Sequence, residues 1–163
     1  MGEITLRAMT DTDESAMVAI LRDERVSATF MLPDFADDEA AAQLFRRLMA
    51  MSQGTERYVR GAYDGDRLVG FINQVERNGS VVEVGYVVAP DCWHCGYATQ
   101  MLRVAISDLF AMGCTAVRAG YFDGNAASGR VMEKCGMLPC TGEDEVLYRG
   151  TKRRCRYRII RKA

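Results

Sequence analysis

A chain of 163 residues with 26% charged and 48% hydrophobic side chains reads as one globular domain spanning 1–163, large enough to bury roughly two thirds of its unfolded surface without cross-links. Its net charge of −1 leaves no electrostatic footprint for nucleic acid or an anionic membrane, so neither is expected as a partner. No apolar run approaches the roughly 20 residues of a membrane span, and Glu3 and Arg7 interrupt any apolar core near the start, so no signal peptide is expected. The cysteines Cys92, Cys95, Cys114, Cys135, Cys140 and Cys155 are scattered; reduced thiols in a cytoplasm are expected rather than a disulfide framework.

Residues 4–9 alternate enough for a first strand. Thr10-Asp11-Thr12-Asp13-Glu14 supplies an N-cap and first-turn acids, and Met17, Ile20 and Leu21 give a helical stripe that runs to about Arg25. Residues 26–36, with Pro33, read as an irregular connection. Asp37 or Asp38 caps a second helix, with the stripe Ala41, Leu44, Phe45, Leu48 and Met49 and an end at Gly54. Three antiparallel strands follow, 56–63, 67–76 and 80–88, turned by Asp64-Gly65-Asp66 and Asn78-Gly79. Met101, Leu102, Ala105, Ile106 and Leu109 mark a long helix ending near Gly113. Residues 115–121 form a strand, 126–135 a short helix, and 138–148 with 153–161 two final strands. One helix joins strands 80–88 and 115–121, which makes them parallel neighbours in an α/β fold with a mixed sheet.

Between the strand at 80–88 and the following helix lies Pro90-Asp91-Cys92-Trp93-His94-Cys95-Gly96-Tyr97-Ala98. A helix start presents unpaired N–H groups and the positive end of the helix dipole, and a glycine lets backbone approach a ligand; together they form an anion cradle, usually for phosphate. A tight strand-to-helix turn that binds nothing has a similar sequence. A second segment carries more information: Asn125-Ala126-Ala127-Ser128, then Glu133-Lys134-Cys135-Gly136-Met137.

Asn-x-x-Ser followed by Glu-Lys-x-Gly-(Phe/Met), a helix and a strand after a Gly-x-Ala loop, resembles the GCN5-related N-acetyltransferases (GNAT), closest to the branch with the ribosomal-protein alanine and serine N-acetyltransferases. Ile4-Thr5-Leu6-Arg7-Ala8-Met9-Thr10, Glu83-Val84-Gly85-Tyr86, Tyr148-Arg149-Gly150 and Arg154-Cys155-Arg156-Tyr157 are similar to that branch too. The resemblance implies a mixed, mostly antiparallel central sheet of about seven strands flanked by about four helices. It implies acetyl-CoA as co-substrate, no metal, and a primary amine as acceptor, on a protein N-terminus or a small molecule. The alternative is a non-catalytic CoA-binding sensor on the same fold. A monomer or a homodimer is expected.

In the loop pattern Gln/Arg-x-x-Gly-x-Gly/Ala, Trp93 takes the first slot, Gly96 the fourth and Ala98 the sixth; His94 and Cys95 stand where Gly and Lys/Arg are usual. The resemblance implies that backbone N–H groups of Cys95, Gly96, Tyr97 and Ala98 hold the pyrophosphate. It implies that Val87 or Val88 polarises the thioester carbonyl and that Asn125 contacts the pantetheine arm, a role compatible with capping its own helix. Ser128 is the matched hydrogen-bond donor to the coenzyme sulfur. Four residues on, where many relatives carry a tyrosine acid, stands Met132. Glu83 is the candidate base, or else a strand carboxylate that only pairs with an arginine. His94 is read as a loop or phosphate contact. Cys92-x-His94-Cys95 is too cramped for a zinc cluster and lacks a second pair nearby. The acceptor groove is expected to involve residues 26–36 and the loop between the last two strands.

Overall fold

The computed structural model describes residues 2–140 and 144–163. In chain order the elements are β1 (Ile4–Arg7), α1 (Glu14–Leu21), α2 (Glu24–Ser27), α3 (Asp38–Gln53), β2 (Val59–Asp64), β3 (Arg67–Asn78), β4 (Val81–Val88), α4 (Tyr97–Ala111), β5 (Ala116–Phe122), α5 (Ala126–Lys134), β6 (Leu138–Pro139), β7 (Asp144–Tyr148) and β8 (Thr151–Arg161). The strands form one sheet in the order β1-β2-β3-β4-β5-β8-β6, with β7 also on β8. β4 and β5 pair in parallel, whereas every other neighbouring pair is antiparallel.

Helices start where the sequence provides acceptors for orphan N–H groups. Asp37 accepts from Ala40 N at 2.9 Å, Asp23 from Arg25 N at 2.9 Å, and Asn125 from Ser128 N at 3.3 Å. The first helix is shorter than its stripe suggests: α1 ends at Leu21, and Asp23 caps a fresh turn, α2, that reaches two residues into the segment expected to be irregular. The expected strand at 138–148 is two pieces, β6 and β7, with 141–143 outside the described residues, and the last strand begins at Thr151 rather than 153.

The sheet separates two cores. One face carries α1 and α3 over Met17, Leu21, Phe45, Leu48, Val59 and Phe71. The other carries α4 and α5 over Val82, Val84, Met101, Leu102, Val117 and Met132. Phe45, 0% exposed, anchors α3 to the first of these. Phe45→Ala is expected to cost about 3–5 kcal/mol of unfolding free energy, measured by urea denaturation; a loss below about 1 kcal/mol would remove Phe45 as an anchor.

Candidate active site

The parallel pair is incomplete. Its register runs from Val81↔Ala116 to Val84↔Ala119 and stops. β5 continues along β8 as far as Phe122↔Cys155, and β4 continues along β3 as far as Val88↔Gly70. The strands therefore diverge at Gly85 and Gly120, leaving a cleft in the sheet edged by backbone. Ala89 N donates to Val69 O at 2.7 Å. Backbone direction alternates along a strand, so Val87 N–H also faces β3, while Tyr86 and Val88 N–H face the cleft. Of the two valines expected to polarise a carbonyl, Val88 has its N–H on the correct side. Its carbonyl oxygen is occupied by the indole N–H of Trp93 at 2.8 Å.

The loop after β4 makes one turn of 3-10 helix, Pro90–Cys92, then passes His94 at φ 63° and Gly96 at φ 80°. Two left-handed residues so close together turn successive N–H groups to one side, the geometry of an anion nest. Among the described residues, no backbone N–H from residue 94 to residue 99 has an acceptor; Gln100 N is the first that does, on Gly96 O at 3.2 Å. Cys95, Gly96, Tyr97 and Ala98 thus come together as a row of free donors at the start of the 15-residue α4. The Tyr97 side chain points away, buried, with its hydroxyl donating to Asp64, so only its backbone faces the cradle. His94 is exposed and Cys92 buried, and no group of three or more metal-ligating side chains is found among the described residues.

On the α4–α5 side of the cleft, Asn125 caps α5 and Ser128 lies in its first turn. Ser128 Oγ is 3.0 Å from the hydroxyl of Tyr86, which is also 3.3 Å from Ser128 O. Burial pushes the Tyr86 phenol well above its ordinary range, with the Ser128 contact opposing. Met132 is 0% exposed and belongs to the core. In the sequence Tyr86 stood only as the last residue of the Glu83-Val84-Gly85-Tyr86 segment, with no role attached, because its partner is 42 residues away.

On the opposite face, Glu83 lies one residue before the last parallel pair, 3.4 Å from Arg118. Burial raises the Glu83 carboxyl above the usual carboxylate range and Arg118 pulls it back. Arg118 stacks on Tyr157 at 3.8 Å, and Tyr157 donates to Asp144 Oδ2 at 2.8 Å. Both readings of Glu83 therefore keep support: it has its arginine, and it is a desolvated carboxylate beside the cleft. The two glycines at the divergence are covered by rings. A Cβ on Gly85 would lie 3.0 Å from Phe30, and one on Gly120 would lie 2.7 Å from Tyr157.

The segment after α2 and the β7–β8 turn, distant in sequence, meet here. Tyr148 accepts from Leu32 N at 3.2 Å and donates to Ser27 O at 2.8 Å. Arg149, itself at φ 51°, donates to Leu32 O and Pro33 O and pairs with Asp34 at 3.2 Å. These bonds fix Phe30 over Gly85 and form a wall on the face opposite the cradle.

The arrangement has known counterparts. A family profile described as an acetyltransferase (GNAT) domain matches residues 3–138. The uncharacterized N-acetyltransferase YoaA of Bacillus subtilis is 27% identical over 139 residues, covering 82% of this chain and 78% of YoaA. A structure of RimL, a ribosomal L7/L12 alpha-N-protein acetyltransferase in complex with coenzyme A, superposes with a TM-score of 0.84 at 12% identity, over 99% of this chain and 95% of that one. A structure of spermidine N-acetyltransferase from Vibrio cholerae with CoA and spermine gives 0.82 at 16% identity, over 98% and 95%. With the profile spanning most of its length and the fold agreeing from end to end, the chain belongs to the GNAT acetyltransferase family.

Proposed function

We propose that this protein is an acetyl-CoA-dependent N-acetyltransferase that passes the acetyl group directly to a primary amine held in a ternary complex. The observation that carries the reading is the row of unpartnered N–H groups from residue 94 to 99, set beside a cleft where β4 and β5 part. Unpartnered donors at a helix start fit a pyrophosphate, and the cleft-facing Val88 N–H fits a thioester carbonyl. Bound acetyl-CoA supplies an acyl group already activated as a thioester. The chain's own residues then hold the reactants and handle protons. Residues Cys95 to Ala98 bind phosphate oxygens, and Asn125 keeps α5 in place against the pantetheine arm. Glu83 takes a proton from the incoming ammonium, and Ser128 donates to the sulfur. The N–C bond forms as the C–S bond breaks, with its electron pair left on sulfur, and the second proton of the amine nitrogen passes to solvent.

The acceptor is a protein N-terminal amine or a small-molecule amine, both of which occur among the structural neighbours. Isothermal titration with acetyl-CoA, followed by thiol release with peptides bearing free N-terminal Ala or Ser and with polyamines, tests the reading. Micromolar binding and amine-dependent release are expected; a folded protein that does not bind acetyl-CoA would overturn it. A second reading, a CoA-binding sensor without turnover, is favoured by the buried Met132, which has no proton to give. Binding without thiol release from any amine would select it.

Two further outcomes follow from the site. Trp93 is the chain's single tryptophan, and its indole bonds Val88 O at the cleft. Its fluorescence should shift on titration with coenzyme A; an unchanged spectrum at saturation would place the ligand elsewhere. Ser128→Ala loses one hydrogen bond to a developing thiolate and should lower kcat about 3- to 10-fold. Its helix persists because the Ser128 backbone N–H still reaches Asn125. Wild-type turnover with chemistry rate-limiting would deny Ser128 that role.

A further inference from the structure

The geometry points to Tyr86 as a positioning residue for the leaving thiolate: its hydroxyl donates to Ser128 Oγ and thereby frees the Ser128 proton for the coenzyme sulfur. The inference rests on the acetyl-CoA reading above. Three observations carry it. The slot that a tyrosine acid would occupy is Met132, turned into the core at 0% exposure, so α5 offers only one hydroxyl there, that of Ser128. The Tyr86 and Ser128 oxygens are 3.0 Å apart, within hydrogen-bond distance for two hydroxyls. Tyr86 belongs to the half of β4 that has left β5, so its ring crosses the α5 side of the cleft and not a continuous sheet.

The direction of the hydrogen bond matters. Either oxygen of the 3.0 Å contact can donate in the free protein. If Ser128 donates to Tyr86, its only proton is spent and the sulfur meets lone pairs. If Tyr86 donates, Ser128 O–H is left over, and a hydroxyl that is itself accepting a bond is a stronger donor. Burial keeps the Tyr86 hydroxyl protonated, so Tyr86 serves as a donor and not as an acid; Ser128 Oγ at 3.0 Å is a nearer acceptor for that proton than Ser128 O at 3.3 Å. As the C–S bond breaks, its electron pair stays on sulfur, Ser128 O–H donates to it, and neither hydroxyl loses its proton. The sulfur is protonated by solvent after release, which a thiol with a pKa of about 8.5 permits.

The test needs no acceptor. Affinities of coenzyme A and of desulfo-coenzyme A, which lacks the sulfur, are measured by calorimetry at pH 9, where a free thiol is mostly ionised. The wild type should prefer coenzyme A by about 10-fold, the worth of one hydrogen bond to a charged group. Tyr86→Phe keeps the ring and should reduce the preference to about 3-fold or less, with desulfo-coenzyme A affinity and melting temperature unchanged. Ser128→Ala should abolish the preference, and adding Tyr86→Phe to it should change nothing further. A Tyr86→Phe variant that keeps the full preference, loses affinity for both ligands equally, or adds its effect to Ser128→Ala overturns the inference. A wild type that binds both ligands equally also overturns it, while leaving the acetyl-CoA reading intact; one that binds neither defeats both.

Discussion

Gly96→Val should reduce coenzyme A affinity by at least about 100-fold while the protein stays folded. Gly96 stands at φ 80° immediately before α4, a conformation that costs a non-glycine residue about 1–2 kcal/mol and a β-branched one more. Valine would pull the loop toward negative φ, rotate the free N–H groups of residues 94–99 out of their common direction, and put a branched side chain where phosphate must approach backbone. Several charge-assisted hydrogen bonds are lost together, each worth about 1.5–3 kcal/mol. Gly96 itself is exposed, although Cys92 and Tyr97 on either side of it belong to the core, so a modest fall in melting temperature is the expected structural cost. Calorimetry on the folded variant decides the matter: unchanged affinity would remove the cradle.

Glu83→Gln should alter the pH profile far more than cofactor affinity. Burial raises the Glu83 carboxyl, with Arg118 only partly opposing, so the wild-type base is protonated, and activity lost, as pH falls through that raised value. Glutamine keeps the shape and cannot take a proton. An α-amino group titrates at about 7.7–8.0, so its neutral fraction grows with pH and replaces the missing base. The variant should be slower by about 10-fold or more at pH 6.5, with the gap narrowing by pH 9. A lysine-like acceptor near 10.4 would keep the gap open throughout, so the shape of the profile also reports the acceptor class. An equal loss at every pH would leave Glu83 as the structural partner of Arg118.

Most of the fold was legible locally. The hairpins at Gly65 and Gly79, the caps at Asp37 and Asn125, and the parallel crossover through α4 all follow from turn chemistry, capping and periodicity, interactions between residues a few positions apart. Less legible was the stretch from Arg22 to Phe35. Its apolar residues have no single period because Phe30 packs on Gly85 and the backbone is bonded by Tyr148 and Arg149, more than a hundred residues away. Among the described residues the helices number five and not about four, since Asp23 caps a separate four-residue turn at α2 whose Val26 is buried.

The candidate site divides along the same line. The sequence by itself determined the donor row, because a cradle is made from consecutive backbone groups and needs only a strand, a left-handed glycine and a helix start. It also placed Asn125 and Ser128, which stand three apart on one helical turn. Only the tertiary structure decided which of Val87 and Val88 faces the cleft, since that depends on register against β3 and on where β5 departs. It alone set Tyr86 against Ser128 and Glu83 beside Arg118. Those pairs join residues 35 or more positions apart, and such contacts form when helices and strands pack, through side chains whose partners no nearby residue specifies.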